Sequence, residues 1–192
     1  MSLSLSMAAF ALAASISPGP VNIVALGSGA RHGLRASLAH VAGATLGFCL
    51  LLVLVGLGVH QLMLRWPLLG TALHWGGVGF LLYMAWKLAS DNGQLSSEQQ
   101  PAPSAWHGAA MQWLSPKAWL AAVAGMGAYT AGEHHLLWLF TAIYAPICFV
   151  SVASWAWAGS VIRQHLRNPG HIRLLNRTLA ALLVGSAVYL VL

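Results

Sequence analysis

Three polar side chains stand where an apolar chain has least reason to keep them: Asn22, Gln112 and Lys117. Each lies close to a proline. Asn22 follows Ser17-Pro18-Gly19-Pro20, while Gln112 and Lys117 flank Ser115-Pro116. Proline removes a backbone donor and clashes with the preceding turn, and glycine adds freedom, so a helix entering either motif must unwind or kink. A helix restarting near Pro20, or after Pro116, offers unpaired N–H groups and the positive end of its dipole. A carboxylate such as that of an amino acid is a natural ligand for that arrangement. Ser17, Pro18, Gly19, Pro20, Asn22, Gln112, Ser115, Pro116 and Lys117 are therefore the candidate substrate-binding residues. Two plainer readings stay open: the prolines kink helices for packing, and Lys117 snorkels to an interface.

Other chemistry is hard to find. No catalytic triad, phosphate loop or paired-carboxylate site is recognisable, so no enzyme and no cofactor is expected. His134-His135 lacks further ligands, which argues against a metal site. Cys49 and Cys148 have no CxxC spacing and read as small buried hydrophobes. His40 and His74 fall within or near apolar segments, as packing residues or as proton carriers.

The elements that must position these groups are membrane-spanning helices. Of 192 residues 58% are hydrophobic and 6% charged, and the acids number three (Asp91, Glu98, Glu133). Soluble domains carry about 25% charged residues, so this chain cannot cover a water-facing globule. The net charge of +6 does not imply nucleic acid, because the nine Lys and Arg are scattered between apolar runs rather than gathered in a patch. No basic region precedes the first apolar run, which therefore reads as a retained helix rather than a secretory signal.

Six stretches are long enough to span a bilayer: Leu3–Leu26, Ser37–Val59, Leu68–Leu88, Trp106–Thr130, Leu136–Ala158 and Leu174–Leu192. A polar segment rich in Pro and Gly, residues 89–105, divides them into halves of three, about 1–88 and 106–192, within one transporter-like domain. Seven basic residues (Arg31, Arg35, Lys87, Arg163, Arg167, Arg173, Arg177) fall in alternate connections, against Arg65 in the others. That asymmetry puts the first set in the cytoplasm and both termini in the periplasm. Trp66, Trp86, Trp106 and Trp138 mark span edges, whereas Trp113, Trp119, Trp155 and Trp157 are expected to pack between helices.

The two halves share a pattern at an offset of 98 residues. Ser17-Pro18 and Gly27-Ser28-Gly29-Ala30 answer to Ser115-Pro116 and Gly125-Met126-Gly127-Ala128, five identities over fourteen positions. With three spans per half, the second half is inverted relative to the first. Inverted repeats with matched helix breaks point to a transporter binding site. The expected fold is thus an all-α membrane protein of six helices in two inverted repeats, with helices one and four broken. Gly43 and Gly47 form a GxxxG step read as helix packing.

Ser17-Pro18-Gly19-Pro20-Val21-Asn22, followed by Gly29-Ala30-Arg31-His32-Gly33, resembles the signature of the LysE/RhtB amino-acid exporters. Gly43-Ala44-Thr45-Leu46-Gly47, Tyr83-Met84-Ala85-Trp86-Lys87, Gln112-Trp113-Leu114-Ser115-Pro116-Lys117-Ala118-Trp119 and Asn176-Arg177 match further motifs in order. The family often has Asn where this chain has Ser115, and members exporting lysine or arginine often have an acid where this chain has Phe48. The resemblance is nearest the cysteine/O-acetylserine branch, with threonine/homoserine types behind it. It implies export of neutral amino acids or derivatives by proton antiport in a bacterial inner membrane. The expected partners are a small amino-acid substrate, the lipid bilayer and a second copy of the chain as a homodimer, but not nucleic acid. The rival reading is a membrane scaffold or assembly subunit that transports nothing.

Overall fold

The computed structural model describes residues 2–58, 67–90, 102–130, 133–165 and 169–191. These form eight helices: α1 (Leu3–Ile16), α2 (Pro20–His32), α3 (Leu34–Gly56), α4 (Pro67–Ala89), α5 (Ala105–Trp113), α6 (Pro116–Tyr129), α7 (His134–His165) and α8 (Pro169–Val191). No strand occurs among the described residues.

The proline motifs break the helices as expected. α1 stops at Ile16, Gly19 is the cap residue of α2, and Pro20 takes its first position, where a missing N–H costs nothing. The axis bends by 61° across the break. α5 ends at Trp113, and α6 begins at Pro116 with Ser115 as its cap residue. Among the described residues α3 and α7 are each long and apolar enough to cross a membrane, and the bent α1–α2 pair reaches that length and apolarity when its two helices are taken together. Gly33, with φ of 83°, is the whole connection between α2 and α3, a conformation that glycine adopts without a Cβ clash.

Several helices outrun their apolar stretches. α7 starts at His134 and continues to His165, and α8 starts at Pro169. Consequently Arg163, Arg173 and Arg177 sit on helix ends rather than in a loop, as do Arg31 and Arg35. Apolarity measures what lipid touches, while backbone hydrogen bonding carries the helix on into the polar layer. Asp91, Glu98, Arg65, Trp66, Arg167 and most of segment 89–105 lie outside the described residues, as does the His74 side chain.

Trp86, Trp106 and Trp138 are exposed on the helix surfaces, as edge tryptophans should be. Trp113, Trp119 and Trp155 turn inward and donate to backbone carbonyls. Trp157, expected between helices, is instead 57% exposed. The Gly43–Gly47 step packs as read, and its partner is α5. A Cβ on Gly43 would overlap the Ala105 backbone, and one on Gly47 would come within 2.7 Å of the Ala109 Cα. Gly108 returns the contact against the backbone of His40 and Ala44.

Candidate functional site

A broken helix leaves carbonyls without intrahelical partners, and at membrane depth these must be satisfied by protein. Three side chains meet that demand at the end of α1. Trp155 Nε1 donates to the Ile16 carbonyl at 3.0 Å. Asn22 Nδ2 donates to the carbonyls of Ser15 and Ser17, at 2.8 and 2.9 Å. Lys117 Nζ reaches from α6 to the carbonyls of Ser17 and Pro18, at 2.8 and 3.3 Å. The ammonium thus stands at the negative end of the α1 dipole. It also crosses from one break to the other, so the two proline motifs meet in space although about a hundred residues separate them. Gly19 and Lys117 are equivalent positions under the 98-residue offset, and a Cβ on Gly19 would lie 3.2 Å from Lys117 Nζ.

Neither restarted helix has a side-chain cap: Gly19 offers no side chain, and Ser115 makes no capping bond. Both starts line a small cavity of about 40 Å³, mostly apolar in its walls but holding Asn22, Gln112, Ser115 and Lys117. Gly19, Pro20, Asn22, Gln112, Ser115 and Lys117, six of the nine candidate residues, border it. Pro18 and Pro116 border instead a wider recess of about 570 Å³ on the other side of the breaks, walled further by Leu81, Leu120, Ala181 and Leu182. Gly19, Pro20, Ser115 and Lys117 belong to both. Ser17 lines neither; its carbonyl accepts from Asn22 and Lys117, and its hydroxyl donates to the Ala14 carbonyl. Gly43 and Gly47 stay out of the site.

The inner cavity is closed by Phe48 and Cys148, neither of which the sequence placed beside the breaks, and by Tyr144, which it did not mark at all. Phe48 and Tyr144 stack with centroids 4.6 Å apart, and Cys148 lies one turn further along α7. Pro146 falls inside α7 between Tyr144 and Cys148, where it removes a helix hydrogen bond beside the cavity. Ser15 Oγ is buried near Tyr144 and Cys148 and closes no hydrogen bond of ordinary geometry. Its nearest polar groups are the Tyr144 hydroxyl and the Cys148 thiol, so it forms part of the cavity wall at the end of α1. Ser15 carried no sequence signal beyond its nearness to the break.

No acid borders either space, and no cluster of three or more metal-binding side chains occurs among the described residues. His40 is fully buried on α3, with Nε2 3.4 Å from the Val21 carbonyl and Nδ1 unpartnered. His135 pairs at 3.7 Å with Glu133 at an exposed helix start.

Residues 12–192 match the family model described as LysE type translocator. The chain belongs to that family. Curated relatives agree: proteins named cysteine/O-acetylserine efflux protein from Escherichia coli (strain K12) and Shigella sonnei (strain Ss046) are each 31% identical over 182 residues. The match covers 93% of this chain and 92% of each relative. No solved structure matches. This LysE type translocator is accordingly an integral membrane transporter and not an enzyme.

Proposed function

We propose that this chain exports small neutral amino acids or close derivatives from the bacterial cytoplasm, across the inner membrane, by alternating access between two inverted halves. Six spans make up the halves: α1–α2, α3 and α4 in the first, and α5–α6, α7 and α8 in the second. Both termini face the periplasm. The carrying observation is the meeting of two uncapped helix starts on one acid-free, mostly apolar cavity that holds a few polar groups and is bridged by Lys117. Uncapped N–H groups and an ammonium favour a carboxylate, while the lack of a facing acid disfavours a cationic side chain. Asn22, Gln112 and Ser15 add hydrogen-bonding groups.

The cavity has room for roughly two or three waters. An amino acid therefore enters only when the breaks part and Lys117 exchanges the Ser17 carbonyl for the substrate carboxylate. The wider recess adjoins the same residues and can receive the substrate side chain. Cysteine and O-acetylserine are the first substrates to test, as the relatives' names suggest, and threonine and homoserine the next. Proton antiport is the coupling, and the chain works as a homodimer.

Efflux from vesicles loaded with labelled cysteine, O-acetylserine, threonine or lysine tests the reading. Export of the neutral compounds, stimulated by an inward proton gradient, is expected. Export of lysine alone sinks the neutral-substrate claim, and export of none favours a scaffold.

A further inference from the structure

A second polar space lies at the Arg31 end of the bundle, apart from the candidate site. It is a vestibule of about 220 Å³. Its polar lining comes from four helices: Ser28, Arg31 and His32 of α2, Lys87 of α4, Ser104 and His107 at the start of α5, and Asn176 of α8. Two permanent cations and two conditional ones, His32 and His107, line it, and among the described residues no acid does. The start of α5 adds the positive end of its dipole, with Ser104 as its capping residue. Basic residues near a membrane edge are ordinary topology markers. Cations from α2 and α4 that share one cavity with buried Ser28 and Asn176 are a different matter, since polar groups at that depth are expensive.

The vestibule also leads somewhere. On α2, Val21, Val24, Ser28 and Arg31 follow at spacings of three and four, so they share one helix face. Val21 lines the inner cavity at the breaks, while Val24, Ser28 and Arg31 line the vestibule. On α5, His107 lines the vestibule and Gln112 the inner cavity. The volumes differ in a telling direction. The inner cavity, at about 40 Å³, is too small for an amino acid. The vestibule exceeds the roughly 150 Å³ that suffices for a benzene-sized ligand.

We infer that this vestibule is a loading site, which captures the carboxylate of the amino acid through Arg31 and Lys87 before the breaks open to receive it. The inference rests on the transport reading above and extends it: recognition occurs in two places, first by charge at the vestibule, then by helix starts at the breaks. Capture at the vestibule raises the local substrate concentration without itself moving substrate across the membrane. Its loss should therefore appear in KM and leave the maximal rate alone.

The test is uptake of labelled cysteine by inside-out vesicles over a range of concentrations, for wild type, the double variant Arg31→Gln/Lys87→Gln, and the charge-conserving Arg31→Lys/Lys87→Arg. The Gln pair should raise KM roughly tenfold, as electrostatic steering allows. Its maximal rate should stay within about twofold, and the conserving pair should transport like wild type. Salt should raise the wild-type KM and leave that of the Gln pair flat. Arg35→Gln removes a charge from the same end but not from the vestibule, and should change nothing. An unchanged KM in the Gln pair, with transport intact, overturns the loading site and leaves the transport reading standing. Absence of transport in wild type overturns the transport reading itself. An anionic lipid headgroup shares the carboxylate's chemistry. If wild type in vesicles free of anionic lipid acquires the Gln pair's KM, the vestibule holds lipid, and the substrate assignment is overturned.

Discussion

On the Arg31 side of the two breaks, helices meet backbone to backbone; on the Tyr129 side they meet ring to ring. α2 and α7 touch through Gly29 and Gly159. A Cβ on Gly29 would overlap the Ala156 carbonyl, and one on Gly159 would overlap the carbonyl of Leu26. α3 and α5 touch in the same way through Gly43 and Gly108. Beyond the breaks, a Cβ on Gly125 would instead meet the ring edges of Phe140 and Phe10, at 2.7 and 3.0 Å, and one on Gly56 the side chains of Leu137 and Met126. There Phe10, Tyr129, Phe140 and Tyr144 form a run of edge and tilted contacts between α1, α6 and α7, with centroids 5.3 to 6.1 Å apart. The Tyr129 hydroxyl also hydrogen-bonds the Ser6 hydroxyl and carbonyl, at 3.0 and 3.2 Å.

The difference has a physical consequence. Backbone contact leaves no side chain to rotate, so those helix pairs move as rigid bodies or not at all. Rings turn about χ angles, so the aromatic end can open one contact at a time, each worth about 0.5–1.5 kcal/mol. The basic end holds a vestibule, and the aromatic end closes the bundle.

Substitutions at the two ends should differ in cost. The largest effect is expected from Gly29→Leu or Gly43→Leu, which forces two backbones apart. A loss of about 3 kcal/mol or more, or no folded protein, should be seen by thermal unfolding in detergent. Gly125→Ala meets ring edges that can shift, and the same measurement should register about 1 kcal/mol or less. Equal losses at the two ends would erase the distinction between them.

Opening the aromatic end should expose the cavity. In a Cys49→Ser background, Tyr129→Ala should raise the rate at which a membrane-impermeant maleimide labels Cys148 roughly tenfold, equivalent to about 1.4 kcal/mol of opening. An unaltered labelling rate would mean that something other than these rings closes that end. Tyr129→Phe, which keeps the ring and removes only the hydroxyl's bonds to Ser6, should give a smaller change than Tyr129→Ala, about 0.5–1.5 kcal/mol in stability and a labelling rate between those of wild type and Tyr129→Ala.

Much of this was legible in the chain. The helix breaks were readable because proline acts locally, by removing an N–H and filling the space of the preceding turn. Gly43 and Gly47 were readable as packing, because only a small residue lets two backbones approach. The partners were not: nothing local in Asn22 or Lys117 says that each would satisfy the carbonyls of the broken α1, or that Trp155 would share the task. Tyr144 and Ser15 escaped notice for the same reason, and Cys148 read only as a small buried hydrophobe, since each looks like an ordinary core residue until a cavity lies beside it. Trp157 failed the other way, because apolar surroundings in sequence do not distinguish a lipid-facing helix side from a protein-facing one.

The sequence by itself determined that the chain lives in lipid, where its helices break, and which residues are small enough for close approach. These follow from properties that each residue carries alone: transfer free energy, backbone freedom and volume. Only the tertiary structure decided that the two breaks face each other across Lys117 and that one end of the bundle is held by backbones and the other by rings. Only it, too, brought Arg31 and Lys87 into one space. Such facts depend on which helix faces meet, and in a bilayer that choice is made by packing and hydrogen bonds between distant segments rather than by hydrophobicity, which lipid and protein satisfy equally.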